Sequence, residues 1–469
     1  MVTIKLIVTI LSFIKIDANN CIRTTIVYSQ YSSIMIVNCA WDAMTLLEDG
    51  RICQWSDKGT DIHPEIEDTD AVSELIVCPR TGSRLVVTQN NRIFISLFED
   101  KKLRDITDLI CEVLGRDANE IIEVHIDTHI ILARTENSMC IMTAHVSAGA
   151  FPSDHLVCAE VKRTGFDSIF KTFTSSINLV SFGCGHGFVR TDDDCLYSFG
   201  SNAYCELGIP YTDTSDVEFR PVCIDRVACI SQIICGFCCT LLLMECGSVH
   251  ASGLGYGNQL HRFTGEPFTR ILFPDGTRIA RVVVTQRLAF FITTDGLCYY
   301  IDSDTQPTIA DGRPRPILLR ALQGYFVENV FNPHRHIAVQ YGEHSCSHAR
   351  RGVCLLSMIE QDSEILYEGT AVEGTAVMHR RVVIDPAYHD GSAQPVCIPF
   401  FDGKNIVSVA AIWNRTYFTT DDGRAYSNLT MHTPEPQIDS IPFFDDNPIA
   451  IKSSAMRIRS AASMIGPDV

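Results

Sequence analysis

Apolar residues in this chain come in short runs separated by glycine-rich or acidic turns, and the 3.6-residue period of an amphipathic helix is nearly missing. Only Ile106 to Leu114 shows a helical pattern. The clearest unit, Leu179 to Gly208, reads LVSFGCGHGFVRTDDDCLYSFGSNAYCELG. It predicts an apolar strand, a turn carrying His186, a second strand, an acidic turn, and a third strand ending in Phe199-Gly200. Asn202 and Leu207-Gly208 follow. A second copy, IICGFCCTLLLMECGSVHASG, sets Gly236 over Gly183, Gly247 over Asp194 and Gly253 over Gly200, and carries the register on to Leu260.

Weaker copies are marked by the hairpin turn, a polar pair followed by Gly or Asn between β-branched or aromatic residues. Such turns stand at Glu48-Asp49-Gly50, Gln89-Asn90-Asn91, Glu136-Asn137-Ser138, Thr294-Asp295-Gly296 and Asp421-Asp422-Gly423. The markers recur every 41 to 56 residues from Gly50 to Gly296. The longer interval to Gly423 leaves room for one more unit, around His336 to Leu356, with an insertion after it. Prolines before strands, as in Arg220-Pro221-Val222 and Gln394-Pro395-Val396, suit strand edges. A periodic series of short strands and turns reads as an all-β propeller.

The order Gly, His, Leu-Tyr-Ser-Phe-Gly, Asn, Glu-Leu-Gly resembles the repeat of the regulator-of-chromosome-condensation family, whose usual unit ends Trp-Gly-x-Asn-x-x-Gly-Gln-Leu-Gly. The resemblance implies a seven-bladed ring closed by strands from both termini, and the hairpins number seven or eight. On this pattern Gly183, His186, Gly200, Asn202, Leu207, Gly208, Gly236, Gly247, Gly253 and Leu260 are structural. Cys205 stands where the family has glycine and Cys239 at the place of His186, which predicts local distortion within an intact ring. The single Trp41-Asp42 dipeptide is read as chance. Residues 1–30 are expected to supply ring-closing strands, and 31–469 one propeller with an insertion near 361–393.

A formal net charge of -18 and a pI near 5.2 disfavour direct nucleic-acid binding, which rests on clustered Lys and Arg. The densest basic group, Arg313, Arg315 and Arg320, reads as a solvated loop. The chain's 20 cysteines lie within apolar strand-like runs such as Ile233-Ile234-Cys235, the placement of buried thiols and not of a disulfide framework. Leu6 to Ile14 is apolar between Lys5 and Lys15, yet too short to span a membrane. It reads as a buried strand ahead of a signal peptide, and the sequons at Asn414 and Asn428 add little. The expected location is cytoplasmic, with nuclear next and secreted last, and no membrane association.

For chemistry, His344, Cys346 and His348 would share one face of a strand and could join Cys354 around zinc, but the same residues read better as a polar loop beside core thiols. Cys235, Cys238, Cys239 and Cys246 lack a second pair at zinc-finger distance. Asp192-Asp193-Asp194 lacks the alternating ligands of a calcium loop and reads as a hairpin turn. No nucleotide-binding or nucleophile motif appears, so no cofactor and no enzyme activity are expected. The expected role is a protein-binding scaffold whose contact segments are Ser303 to Pro316 and Gln361 to Ala393, the latter with a tandem Glu-Gly-Thr-Ala-Val. The rival reading, implied by the family's founding members, is guanine-nucleotide exchange on a Ran-like small GTPase. A secreted or membrane-associated binding propeller is the third.

Overall fold

The computed structural model describes residues 14–16, 22–24 and 37–39 and most of 42–449. Outside the description are the connecting segments 63–70, 78–82, 97–102, 146–159, 163–169, 210–218, 254–267, 303–315, 343–351, 365–377, 384–395 and 429–437, and stretches of one to four residues elsewhere.

Among the described residues the chain forms a β-propeller of antiparallel sheets laid down one after another. Seven have four strands, and an eighth, spanning Glu123 to Thr172, carries a fifth. We number the sheets 1 to 8 by their opening strands: Val37–Cys39, Val72–Val77, Glu123–Asp127, Ile177–Gly183, Ile230–Cys235, Ile279–Val284, Val327–Phe331 and Ile406–Ile412. Each sheet is a meander except sheet 3, whose fifth strand pairs back with its third, and sheet 7, where an extra hairpin interrupts the path to its fourth strand. Ile14–Ile16 and Ile22–Thr24 pair with each other outside the eight sheets.

The second strand of each sheet lies between strands on both edges and between sheets on both faces. Second strands are therefore buried on both faces, and the most apolar of them show no alternation. Cys239–Met244 and Leu288–Thr293 are buried at every position. Apolar clusters fill every junction between successive sheets, from Leu46, Ile52, Val72 and Val86 between sheets 1 and 2 to Ala338, Phe401, Ile406 and Phe418 between sheets 7 and 8. The last cluster, with Leu47, Cys53, Tyr417 and Ile449, joins sheet 8 to sheet 1, so the ring is closed. Cys140, Cys239, Cys298 and Cys354 belong to these clusters as small apolar side chains.

Most of the marked hairpin turns share a residue in the left-handed conformation, at Gly50, Asn91, Asp194, Gly247, Gly296 and Gly423, as a type I turn with a bulge requires. In three of them a threonine ends the second strand and its hydroxyl donates to the aspartate that precedes the left-handed residue: Thr191–Asp193, Thr293–Asp295 and Thr420–Asp422. The turn at Glu136-Asn137 is tighter: Thr135 donates its N–H to the carbonyl of Ser138, with no left-handed residue. Ile106 to Leu114 does contain a helix, Thr107–Leu114, ended by left-handed Gly115 and buried through Ile110 and Leu114.

Candidate interaction face

Because all the sheets run their strands in the same order and sense, like connections emerge at the same end of the ring. At one end lie the second-to-third turns, short in every sheet but sheet 7, and several are stitched to the next sheet. The N–H of the residue opening the next sheet donates to the turn carbonyl, as in Val72 to Gly50 (3.2 Å), Ile279 to Gly247 (3.0 Å) and Val327 to Gly296 (2.9 Å). This end is built for rigidity.

At the other end lie the third-to-fourth connections, which are unequal in length. The tightest joins Ser56 to Gly59, and others span 201–219, 254–268, 303–316 and 358–395. Both segments expected to make contacts, Ser303 to Pro316 and Gln361 to Ala393, therefore leave the ring at the same end. Within the longest, Ile359–Glu364 and Met378–Val383 form a hairpin whose acidic strand runs opposite a basic one, Gln361 facing Arg381 and Asp362 facing Arg380. Segment 201–219 carries Glu206, Asp213, Asp216 and Glu218 without a lysine or arginine, and 358–395 has seven carboxylates against Arg380 and Arg381.

The repeat residues form the base of this face, Gly247 excepted, which sits in a stitched turn. His186 is fully buried at the start of a second strand, and its Nε2 lies 2.9 Å from the Thr240 hydroxyl of sheet 5. Thr240 in turn donates to the Glu206 carbonyl at 2.8 Å, so His186 donates to Thr240. Asn202 Oδ1 accepts from the Leu207 N–H at 3.1 Å, and Ser201 donates to the Glu206 carboxylate at 2.8 Å. Gly208 lies against the Phe268 ring with no space for a β-carbon. A β-carbon on Gly183 would stand 2.6 Å from the Cys235 carbonyl, and one on Gly236 would meet the Cys239 sulfur at 2.7 Å. Gly200 and Gly253 hold matching registers opposite His186 and Cys239. Cys205 keeps the left-handed backbone at φ 63°, and its carbonyl accepts the Ser252 hydroxyl. Leu260 lies outside the described residues.

Of the four zinc candidates, Cys354 alone lies among the described residues. Cys354 is buried in the apolar cluster between sheets 6 and 7, while His344, Cys346 and His348 lie outside the described residues, on a connection that leaves from the stitched end. Among the described residues no three metal-binding side chains converge. Cys235 and Cys239 are buried, Cys246 is exposed beside Ser248, and Cys238 lies outside the description. Asp192-Asp193-Asp194 forms a hairpin turn.

Sequence reasoning missed a nearly buried charge cluster in sheet 3. Glu123 on the first strand meets His125 Nε2 at 2.6 Å and Arg134 Nε at 2.7 Å. Burial alone would raise its pKa, but the electrostatic pull and hydrogen bonds of His125 and Arg134 hold the carboxyl well below its usual range. The available signal was Glu123 and His125 two apart on one strand face.

No protein-family model matches the chain. Among solved structures it is similar to Prp20p from Saccharomyces cerevisiae, at 11% identity over 94% of this chain and 100% of that one, TM-score 0.44. It is also similar to human WBSCR16, at 16% identity over 67% and 81%, TM-score 0.39. A third similarity is to BamB from Moraxella catarrhalis, at 9% identity over 87% and 84%, TM-score 0.33.

Proposed function

We propose that this protein is a non-enzymatic, cytoplasmic protein-binding platform whose contact face is the end of the ring bearing the third-to-fourth connections. One observation carries the reading: the third-to-fourth connections, which include the longest in the ring, leave one end, while at the other end every second-to-third turn but that of sheet 7 is short and several are stitched to the next sheet. Variable loops on a rigid scaffold are where binding surfaces are built. The carboxylates of 358–395, with Asp213, Asp216 and Glu218 of 201–219, favour a partner with a basic surface, with association that weakens as salt rises.

The test is affinity capture from native lysate, with the full chain and a variant in which 358–395 is replaced by a short turn. A partner that is held by the full chain, released by salt and lost with the replacement supports the reading. A partner retained equally by both baits overturns this choice of face. A small GTPase retained only after its nucleotide is stripped would move the assignment to nucleotide exchange.

A further inference from the structure

In sheet 7 the third strand, Gly352–Ser357, and the short fourth strand, Val396–Cys397, set Cys354 directly opposite Cys397. The N–H of Ile398 donates to the carbonyl of Val353 at 2.9 Å. That bond skips over the pair, so Cys354 and Cys397 occupy a non-hydrogen-bonded site. Here facing α-carbons approach to about 4.5 Å and the two side chains point to the same side. The separation falls inside the range a disulfide requires, about 4.4–6.8 Å between α-carbons. Both side chains join the same apolar cluster against sheet 6, which confirms that they face one way.

The surroundings distinguish the two sulfurs. Cys354 is fully buried, and desolvation, reinforced by Cys397, pushes its thiol well above the ordinary range. Cys397 is half-buried, and the Tyr325 hydroxyl lies 3.3 Å from its sulfur. Tyr341 flanks it from the second strand, its hydroxyl fitted into the space left by the missing side chain of Gly352.

We propose that Cys354 and Cys397 form a redox-sensitive cross-strand pair that closes to a disulfide at the base of the 358–395 insertion. With a peroxide as oxidant, the Cys397 thiolate attacks one peroxide oxygen, the O–O bond breaks and water leaves, giving a sulfenic acid. The Cys354 sulfur, losing its proton, then displaces that hydroxyl as a second water while the S–S bond forms. Two thiols are oxidised and one peroxide is reduced to two waters. The bond ties the two chain ends from which the insertion departs. Transient disulfides of this kind suit a reducing compartment. The inference rests on the strand register alone and stands or falls independently of the binding role.

The experiment uses the full chain, reduced, freed of reductant and exposed to hydrogen peroxide, then alkylated, digested with trypsin and analysed by mass spectrometry without reduction. Gly352–Arg380 and Val382–Lys404 each contain a single cysteine, so their linked form is unambiguous. The expected result is a linked peptide that increases on the order of tenfold with peroxide, reverses with dithiothreitol and is absent from Cys397→Ser. Recovery of both peptides alkylated, under conditions where exposed Cys223 and Cys246 are oxidised, overturns the proposal. So does oxidation of Cys397 to sulfinic acid in the folded wild type without any linked product.

Discussion

Leu47 and Ile449 stand opposite each other across an antiparallel bridge, and the Ile449 N–H donates to the Gly423 carbonyl at 2.9 Å. Ile449 thereby takes the place that Val72, Ile279 and Val327 take where their sheets open. A residue from the far end of the described chain begins the inner edge of sheet 1, and Val37–Cys39 continues it against the same second strand. The junction between sheets 8 and 1 is thus made by chain segments remote in sequence.

Ile449→Ala is therefore expected to act like a substitution in a central core. Both Leu47 and Ile449 are buried, with Phe444 and Tyr417 against them. The expected loss is about 2–4 kcal/mol, read as a lower urea midpoint with unchanged slope.

The His186–Thr240 hydrogen bond joins sheets 4 and 5 and is coupled to the Glu206 carbonyl. His186→Ala should cost about 2 kcal/mol, because it leaves a cavity and a hydroxyl without its buried donor. In a double-mutant cycle with Thr240→Val the two losses should fall short of additivity by at least about 0.5 kcal/mol. Strict additivity would mean that the bond contributes nothing.

Cys205 and Gly183 are expected to respond in opposite directions. Cys205 holds a left-handed backbone that a side chain disfavours by about 1–2 kcal/mol, so Cys205→Gly should stabilise the protein by up to about 1 kcal/mol after the entropy of glycine is counted. Gly183→Ala would press a β-carbon onto the Cys235 backbone of the next sheet and should destabilise by about 1–3 kcal/mol. Thermal unfolding of the two variants side by side measures both signs.

Stability should fall with acid through Glu123. Its carboxyl titrates lower in the folded protein than in the unfolded chain, so its contribution is fully present above the unfolded value of about 4.3 and is lost as pH drops below it. Urea titrations between about pH 5 and pH 2 should show stability rising with pH, with a shallower slope in Glu123→Gln. An identical slope in both proteins would remove Glu123 as the source.

The hairpin turns were legible because their chemistry is local: a left-handed residue after a type I turn favours Gly, Asn or Asp, and those stand at Gly50, Asn91, Asp194, Gly247, Gly296 and Gly423. The buried second strands were legible as apolar runs, and with the repeat they determined an all-β propeller. The insertion after Leu356 was likewise visible as a gap in the period. The tertiary structure alone decided what depends on pairing between distant segments. Ring closure through Ile449 follows no local pattern, and the opposition of Cys354 and Cys397 requires the register of strands separated by the whole insertion. Arg134 becomes the partner of Glu123 only once sheet 3 has paired. The common end from which the unequal connections leave is a property of the closed ring, in which every third strand points the same way.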